Sequence, residues 1–166
     1  MKPHIAGAKF ERVLELMLTE LGYQNVMRNV AYHKSKKYFR QVDVCYNYVE
    51  DGVIQLAMVE AKYSSNGTVK YQLRSPKQKV GGTIENVVDE TEERRVFVGA
   101  KKAMLVTNGE VEPLVKEKSR DYGIVVIEGP DLERYRRELG WRLPIEETMG
   151  QMDNIVWWKN IIQLSR

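Results

Sequence analysis

The chain has one cysteine, Cys45, and two histidines, His4 and His33. A single thiol excludes an intramolecular disulfide and a thiolate-built zinc site. Two distant histidines exclude the paired-histidine helix of zinc proteases. Any metal must then be held mainly by oxygen, which favours magnesium, manganese or calcium. No apolar run is long enough to cross a bilayer. The opening Met1-Lys2-Pro3-His4-Ile5 has no apolar signal core, so a cytoplasmic protein without membrane contact is expected. A phosphate-loop lysine motif is absent as well.

What is present is a globular composition: 43% hydrophobic and 30% charged over 166 residues. That length fits one compact domain with a terminal extension. The expected division is residues 1–140 and a helical extension over 141–166. The net charge of +3 says little, but its distribution says more. From Leu21 to Val42 there is no acid, only Arg28, Lys34, Lys36, Lys37 and Arg40. From Ala61 to Ile84 there is again none, only Lys62, Lys70, Arg74, Lys77 and Lys79. Basic stretches of this kind concentrate phosphate and give salt-dependent binding, although one alone is equally a solvated surface.

Phe10, Val13, Leu14, Met17, Leu18 and Leu21 recur at helical spacing and predict a helix from about Ala6 to Leu21, stopped by Gly22. Val26–Tyr32 suggests a first strand. Gln41–Tyr48 and Val53–Tyr63 predict two longer strands. Gly67 and Pro76 predict an irregular basic loop, and Gly81-Gly82-Thr83 the opening of a helix to about Arg95. Strands are then expected at Lys102–Thr107 and Gly123–Glu128, and helices at Glu112–Tyr122 and Asp131–Leu139. This alternation implies parallel strands with crossovers beside an antiparallel hairpin, hence an α/β fold with a mixed sheet flanked by helices. Leu143–Arg166 reads as helical, broken at Gly150.

Asp51-Gly52 is a strong two-residue hairpin signal. With Glu50 opposite Val53, the register brings Asp43 opposite Glu60, and Gln41 opposite Lys62. Lys62 shares their face because strand side chains alternate. The other face, with Val42, Val44 and Tyr46 opposite Ala61, Val59 and Ala57, is the expected core side. Two opposed carboxylates repel, and a divalent ion between them removes the penalty. Lys62 would offset the repulsion and serve an attacking water. For Glu-x-Lys on any one strand, an exposed ion cluster is the commoner reading; the cross-strand Asp43 shifts the balance toward function.

Gln41-Val42-Asp43-Val44 followed by Val59-Glu60-Ala61-Lys62-Tyr63 resembles the PD-(D/E)xK nuclease superfamily, with its restriction-endonuclease-like fold. Gly7, Phe10 and Glu11 on the first helix, Gly22-Tyr23 after it and Leu105-Val106-Thr107 later make it most similar to Mrr-type restriction endonuclease catalytic domains. The resemblance covers about Gly7 to Leu139. It departs from the pattern at Val42, where proline is usual, and in lacking a glycine-rich run before Asp43. Archaeal Holliday-junction resolvases share the same core. The resemblance implies a Mg2+- or Mn2+-dependent deoxyribonuclease. It implies metal ligation by Asp43, Glu60 and the Ala61 carbonyl, with Glu11 reaching the metal through water and Lys62 serving the nucleophile.

Lys34, Lys36, Lys37 and Arg40, interleaved with Tyr38 and Phe39, suit phosphate contact with stacking. Lys70, Arg74, Lys77 and Lys79 suit the same DNA. A hairpin tip folding its aromatics back on the core is the plainer alternative for the first group. His33 reads as a phosphate contact at most, and Cys45 as a small buried filler. Three functions compete: a DNA endonuclease, a structure-specific resolvase and a catalytically silent nucleic-acid-binding module. The apolar tail with Trp157 and Trp158 suggests a homodimer.

Overall fold

The computed structural model describes residues 3–79, 81–152 and 159–164. Its order is α1 (Pro3–Glu20), β1 (Gln24–His33), β2 (Phe39–Glu50), β3 (Val53–Lys62), β4 (Thr68–Val69), β5 (Gln72–Lys79), β6 (Gly82–Asn86), α2 (Val87–Val98), β7 (Lys102–Thr107), β8 (Glu110–Val111), α3 (Pro113–Tyr122), β9 (Val125–Ile127), α4 (Gly129–Glu138), α5 (Ile145–Gly150) and β10 (Asn160–Gln163). Six strands form one mixed sheet in the order β10-β1-β2-β3-β7-β9. β1, β2 and β3 are antiparallel neighbours, whereas β7 joins β3, β9 joins β7 and β10 joins β1 in parallel.

The turn at Asp51-Gly52 has φ of 51° and 78°, the doubly positive pattern of a type I′ hairpin. It sets the β2–β3 register as expected, from Glu50–Val53 to Val44–Val59. Val44, Tyr46, Ala57 and Val59 pack against Phe10, Val13, Leu14 and Met17 of α1, with Leu132, Ile145 and Met149 from α4 and α5. The opposite face is not left open. Cys45, Met58, Ala103 and Leu105 lie in a second core under Val88, Phe97, Val98 and Val115 of α2 and α3. Both faces are buried because the parallel crossovers carry helices to each side. Cys45 is the buried filler expected, and it accepts a hydrogen bond from the Tyr32 hydroxyl at 3.3 Å.

Three expectations are corrected. The supposed basic loop is largely β5 and β6, a separate two-stranded antiparallel ribbon. The helix expected from Gly81 starts at Val87, because Asn86 is extended and its side chain accepts the Asp89 N–H at 2.8 Å, capping the first turn. The tail is helical only over Ile145–Gly150, and Asn160–Gln163 instead adds an edge strand along Val30–His33. Trp157 and Trp158 lie outside the described residues. Among the described residues, no helix is long and apolar enough to cross a membrane.

Two glycines are required by close backbone approach rather than by φ. A Cβ on Gly109 would lie 2.2 Å from the Gly67 carbonyl oxygen, and one on Gly129 would lie 2.3 Å from that of Asn108. The Gly129 N–H donates to the Gly109 carbonyl at 2.7 Å. These crossings lock the segments following β3, β7 and β9 together at one end of the sheet.

Candidate active site

The β2–β3 ladder stops at Val44–Val59, one position before the two carboxylates. The expected continuation, with Asp43 opposed to Glu60 and Gln41 to Lys62, is therefore not a regular ladder. Gln41 pairs with Ala31 of β1, and its amide reaches Asn29. Asp43 uses its side chain where the ladder ends: its Oδ2 accepts the Ala61 N–H at 2.8 Å. Glu60 stays on β3, pairs with Leu105 of β7 and is 1% exposed. The two acids still share one neighbourhood at the point where β2 and β3 part.

Electrostatics brings Glu11 into the same neighbourhood from α1. Burial pushes the Asp43 carboxyl well above its ordinary value; the charges of Glu60 and Glu11 push it further, against the Ala61 N–H and Lys62. The Glu11 carboxyl is pushed up to about 7, first by burial and then by Glu60, with Arg28 opposing. Glu60 is met by Arg94 of α2, whose guanidinium donates to Oε1 at 2.8 Å.

Lys62 points to α2 as well. Its ammonium donates to Glu90 Oε1 at 3.3 Å. Glu90, 3% exposed, is also met by Lys77 of the β5–β6 ribbon and by Arg94 at 3.7 Å. Burial raises this carboxyl, but Lys62, Lys77 and Arg94 outweigh it and hold it below the ordinary value. Glu90 and Arg94 were missed by sequence reasoning. Their spacing of four residues marks one helix face, but the strand residues they meet lie about 30 positions earlier in the chain.

Among the described residues, no three His, Cys, Asp or Glu side chains converge as a ready-made metal cage. The donor set nevertheless fits a hard divalent ion. Asp43, Glu60 and Glu11 offer only oxygen and come from three elements, and the Glu60 charge raises the proton affinity of both Asp43 and Glu11. A dication there would replace repulsion by attraction.

The first basic group behaves differently from the second. Arg40 makes a two-pronged contact with Glu93, at 2.7 and 2.9 Å, and lies over the Phe97 ring with Lys34. Tyr38 meets Phe97 edge-on. His33 stacks on Phe39, with ring centres 4.7 Å apart. Tyr38 therefore leans on α2, as the plainer reading has it, whereas Phe39 stacks on His33 and both rings stay exposed; among the described residues, Lys36 and Lys37 are exposed without such contacts. Lys70, Arg74, Lys77 and Lys79 are exposed on and beside the ribbon.

A mixed sheet between helices, with carboxylates and a lysine where its central strands part, defines a restriction-endonuclease-like fold. The Mrr catalytic-domain model, described as a restriction endonuclease, matches residues 4–135, and the chain belongs to that family. No functionally curated protein matches it significantly in sequence. Solved structures share the fold. They include the DNA modification-dependent restriction endonuclease AspBHI (TM-score 0.54, 16% identity, 85% of this chain and 34% of that one). Can2 from Sulfobacillus thermosulfidooxidans, solved with cyclic tetra-adenylate, is similar over 81% of this chain and 36% of its own (TM-score 0.53, 14% identity). The protein AF1548, of unknown function, matches over 80% of this chain and 66% of its own (TM-score 0.57, 16% identity). The chain thus spans about two thirds of one of these proteins and about a third of the other two.

Proposed function

We propose that this chain is a metal-dependent endonuclease that hydrolyses phosphodiester bonds in DNA. The observation that carries the reading is the group of buried Glu60 with half-buried Asp43 and Glu11 beside Lys62, in a chain of the restriction endonuclease family. Asp43, Glu60 and the Ala61 carbonyl would hold Mg2+ or Mn2+, with Glu11 acting through water. When bound, the ion lowers the pKa of its water and stabilises charge on the phosphate oxygen. Lys62, anchored by Glu90, orients the attacking water. The Ala61 N–H fixes the Asp43 carboxylate, so that side chain is pre-positioned rather than free to rotate. Lys36, Lys37 and the ribbon cations hold the phosphate backbone. A homodimer would place two such sites on the two strands of a duplex.

The test is incubation with plasmid and branched DNA in Mg2+ or Mn2+. Cleavage is expected, and it should fall at least about 100-fold in Asp43→Ala and Lys62→Ala. Cleavage that survives either substitution, or is absent with both ions, refutes the reading. Preference for the branched substrate would move the assignment to a resolvase. Calorimetric titration with Mn2+ separates an enzyme from a silent binding module, and sedimentation tests the dimer.

A further inference from the structure

β5 and β6 stand apart from the six-stranded sheet as a two-stranded ribbon. An isolated ribbon is marginal in water, so this one needs an anchor. It has one. Ile84 is 5% exposed and Leu73 packs against the core, while Lys77, directly opposite Ile84, reaches Glu90. Side chains alternate along strands, so 77, 79, 82 and 84 face the body and 78, 83 and 85 face outward.

Among the described residues, the outward face of the paired segment carries no apolar residue. Gln78 and Thr83 are directly opposed, both exposed, and the Thr83 hydroxyl lies 3.5 Å from Gln78 Oε1. The Gln78 amide nitrogen has no hydrogen-bond partner among the described residues. The cations Lys70, Arg74, Lys77 and Lys79 lie on and beside the ribbon, with Lys77 paired to Glu90 and Lys79 beside Asp89, Glu92 and Glu93 on the body side, which leaves Lys70 and Arg74 as the cations not turned to those acids. Between Gln72 and Lys77 the register shifts, so exposed Arg74 lies in an irregular stretch outside the regular pairing. Glu85 is also outward, two residues beyond Thr83 toward the body, and bounds the surface on that side.

We infer that the β5–β6 ribbon is a base-reading arm that enters the major groove of duplex DNA, with Gln78 and Thr83 against base edges and Arg74 against phosphates. Two paired strands with their side chains match the roughly 12 Å major groove and exceed the roughly 6 Å minor groove. A glutamine amide offers one donor and one acceptor, the complement of the adenine edge, and a threonine methyl suits the thymine methyl. The ribbon is joined to Lys62 through Lys77 and Glu90, so the bases read lie at a fixed offset from the bond cut. The inference rests on the nuclease reading only for that offset and for the choice of DNA as substrate.

The experiment uses the whole chain carrying Asp43→Ala and a pool of duplex oligonucleotides with a randomised centre, whose bound fraction is sequenced. Two or three adjacent base pairs should show preference, with disfavoured bases reduced about ten-fold. Adding Gln78→Ala and Thr83→Ala should flatten that preference to within about two-fold. Gln78→Glu should instead move it from adenine toward cytosine. Arg74→Ala should weaken all sequences alike and lower the salt slope by about one. A pool bound without preference, a preference that survives the double substitution, or no duplex binding overturns the inference. Cutting of plasmid by the unsubstituted chain is scored separately. Preference without cutting refutes the nuclease reading alone, and cutting with an indifferent ribbon refutes this inference alone.

Discussion

Glu11→Gln tests whether the carboxyl group at the parting of β2 and β3 is held against its own repulsion. The Glu11 carboxyl is raised from 4.5 to about 7 by burial and by Glu60. Between those values the folded chain holds a proton that the unfolded chain releases. The stability supplied by protonated Glu11 is therefore full below about 4.5 and is lost as pH rises through about 7. At 1.36 kcal/mol per pKa unit the shift corresponds to roughly 3 kcal/mol, and solvent screening of a partly exposed helix residue reduces this to about 1–3 kcal/mol. Glutamine keeps the shape and removes the charge. In metal-free buffer at pH 8 the variant should melt about 3–10 °C higher than the parent. At pH 4 the two should melt together. Saturating Mg2+ or Mn2+ should raise the parent by mass action and raise the variant less. A variant no more stable than the parent at pH 8, or stabilised equally at pH 4, would show that Glu11 does not share this charge environment.

Other substitutions address the supports of the site. Glu90→Gln leaves Lys62, Lys77 and Arg94 short of a counter-charge; it should cost about 2–4 kcal/mol in urea unfolding at pH 8. Because Glu90 is held below its ordinary value, that cost should shrink as the pH falls through the carboxylate range. Gly109→Ala forces a methyl against the Gly67 carbonyl and should cost at least about 2 kcal/mol. Gly7→Ala, in α1 with nothing within 4 Å of the added carbon, should stabilise by about 0.5–1 kcal/mol. Equal melting temperatures for the two glycine variants would refute the close-approach argument.

The parts legible in the sequence were those decided by neighbours in the chain. Asp51-Gly52 specifies its turn because few residues tolerate two consecutive positive φ values, and the turn alone sets the register that carries Asp43 toward Glu60. The Ala103–Val106 run appears as the buried core of β7, and the periodicity of Phe10, Val13 and Met17 as the inner face of α1. The ribbon escaped because it buries little: Pro76 and a bulge interrupt β5, and Ile84 is the one fully buried apolar residue of its two strands, too little for alternation to show.

The sequence by itself determined the chemistry available: carboxylate oxygens with almost no competing histidine or thiol, a lysine two residues from a glutamate, and a turn that aims two acids at one another. The tertiary structure decided the rest, since charge pairing between distant segments leaves no periodic trace. It ended the ladder one residue early and gave Asp43 the Ala61 N–H instead of a strand partner. It also brought Arg94 to Glu60 and Glu90 to Lys62 across about 30 residues of chain, so that the opposed pair first read from Asp51-Gly52 sits within a network extending to α1, α2 and the ribbon.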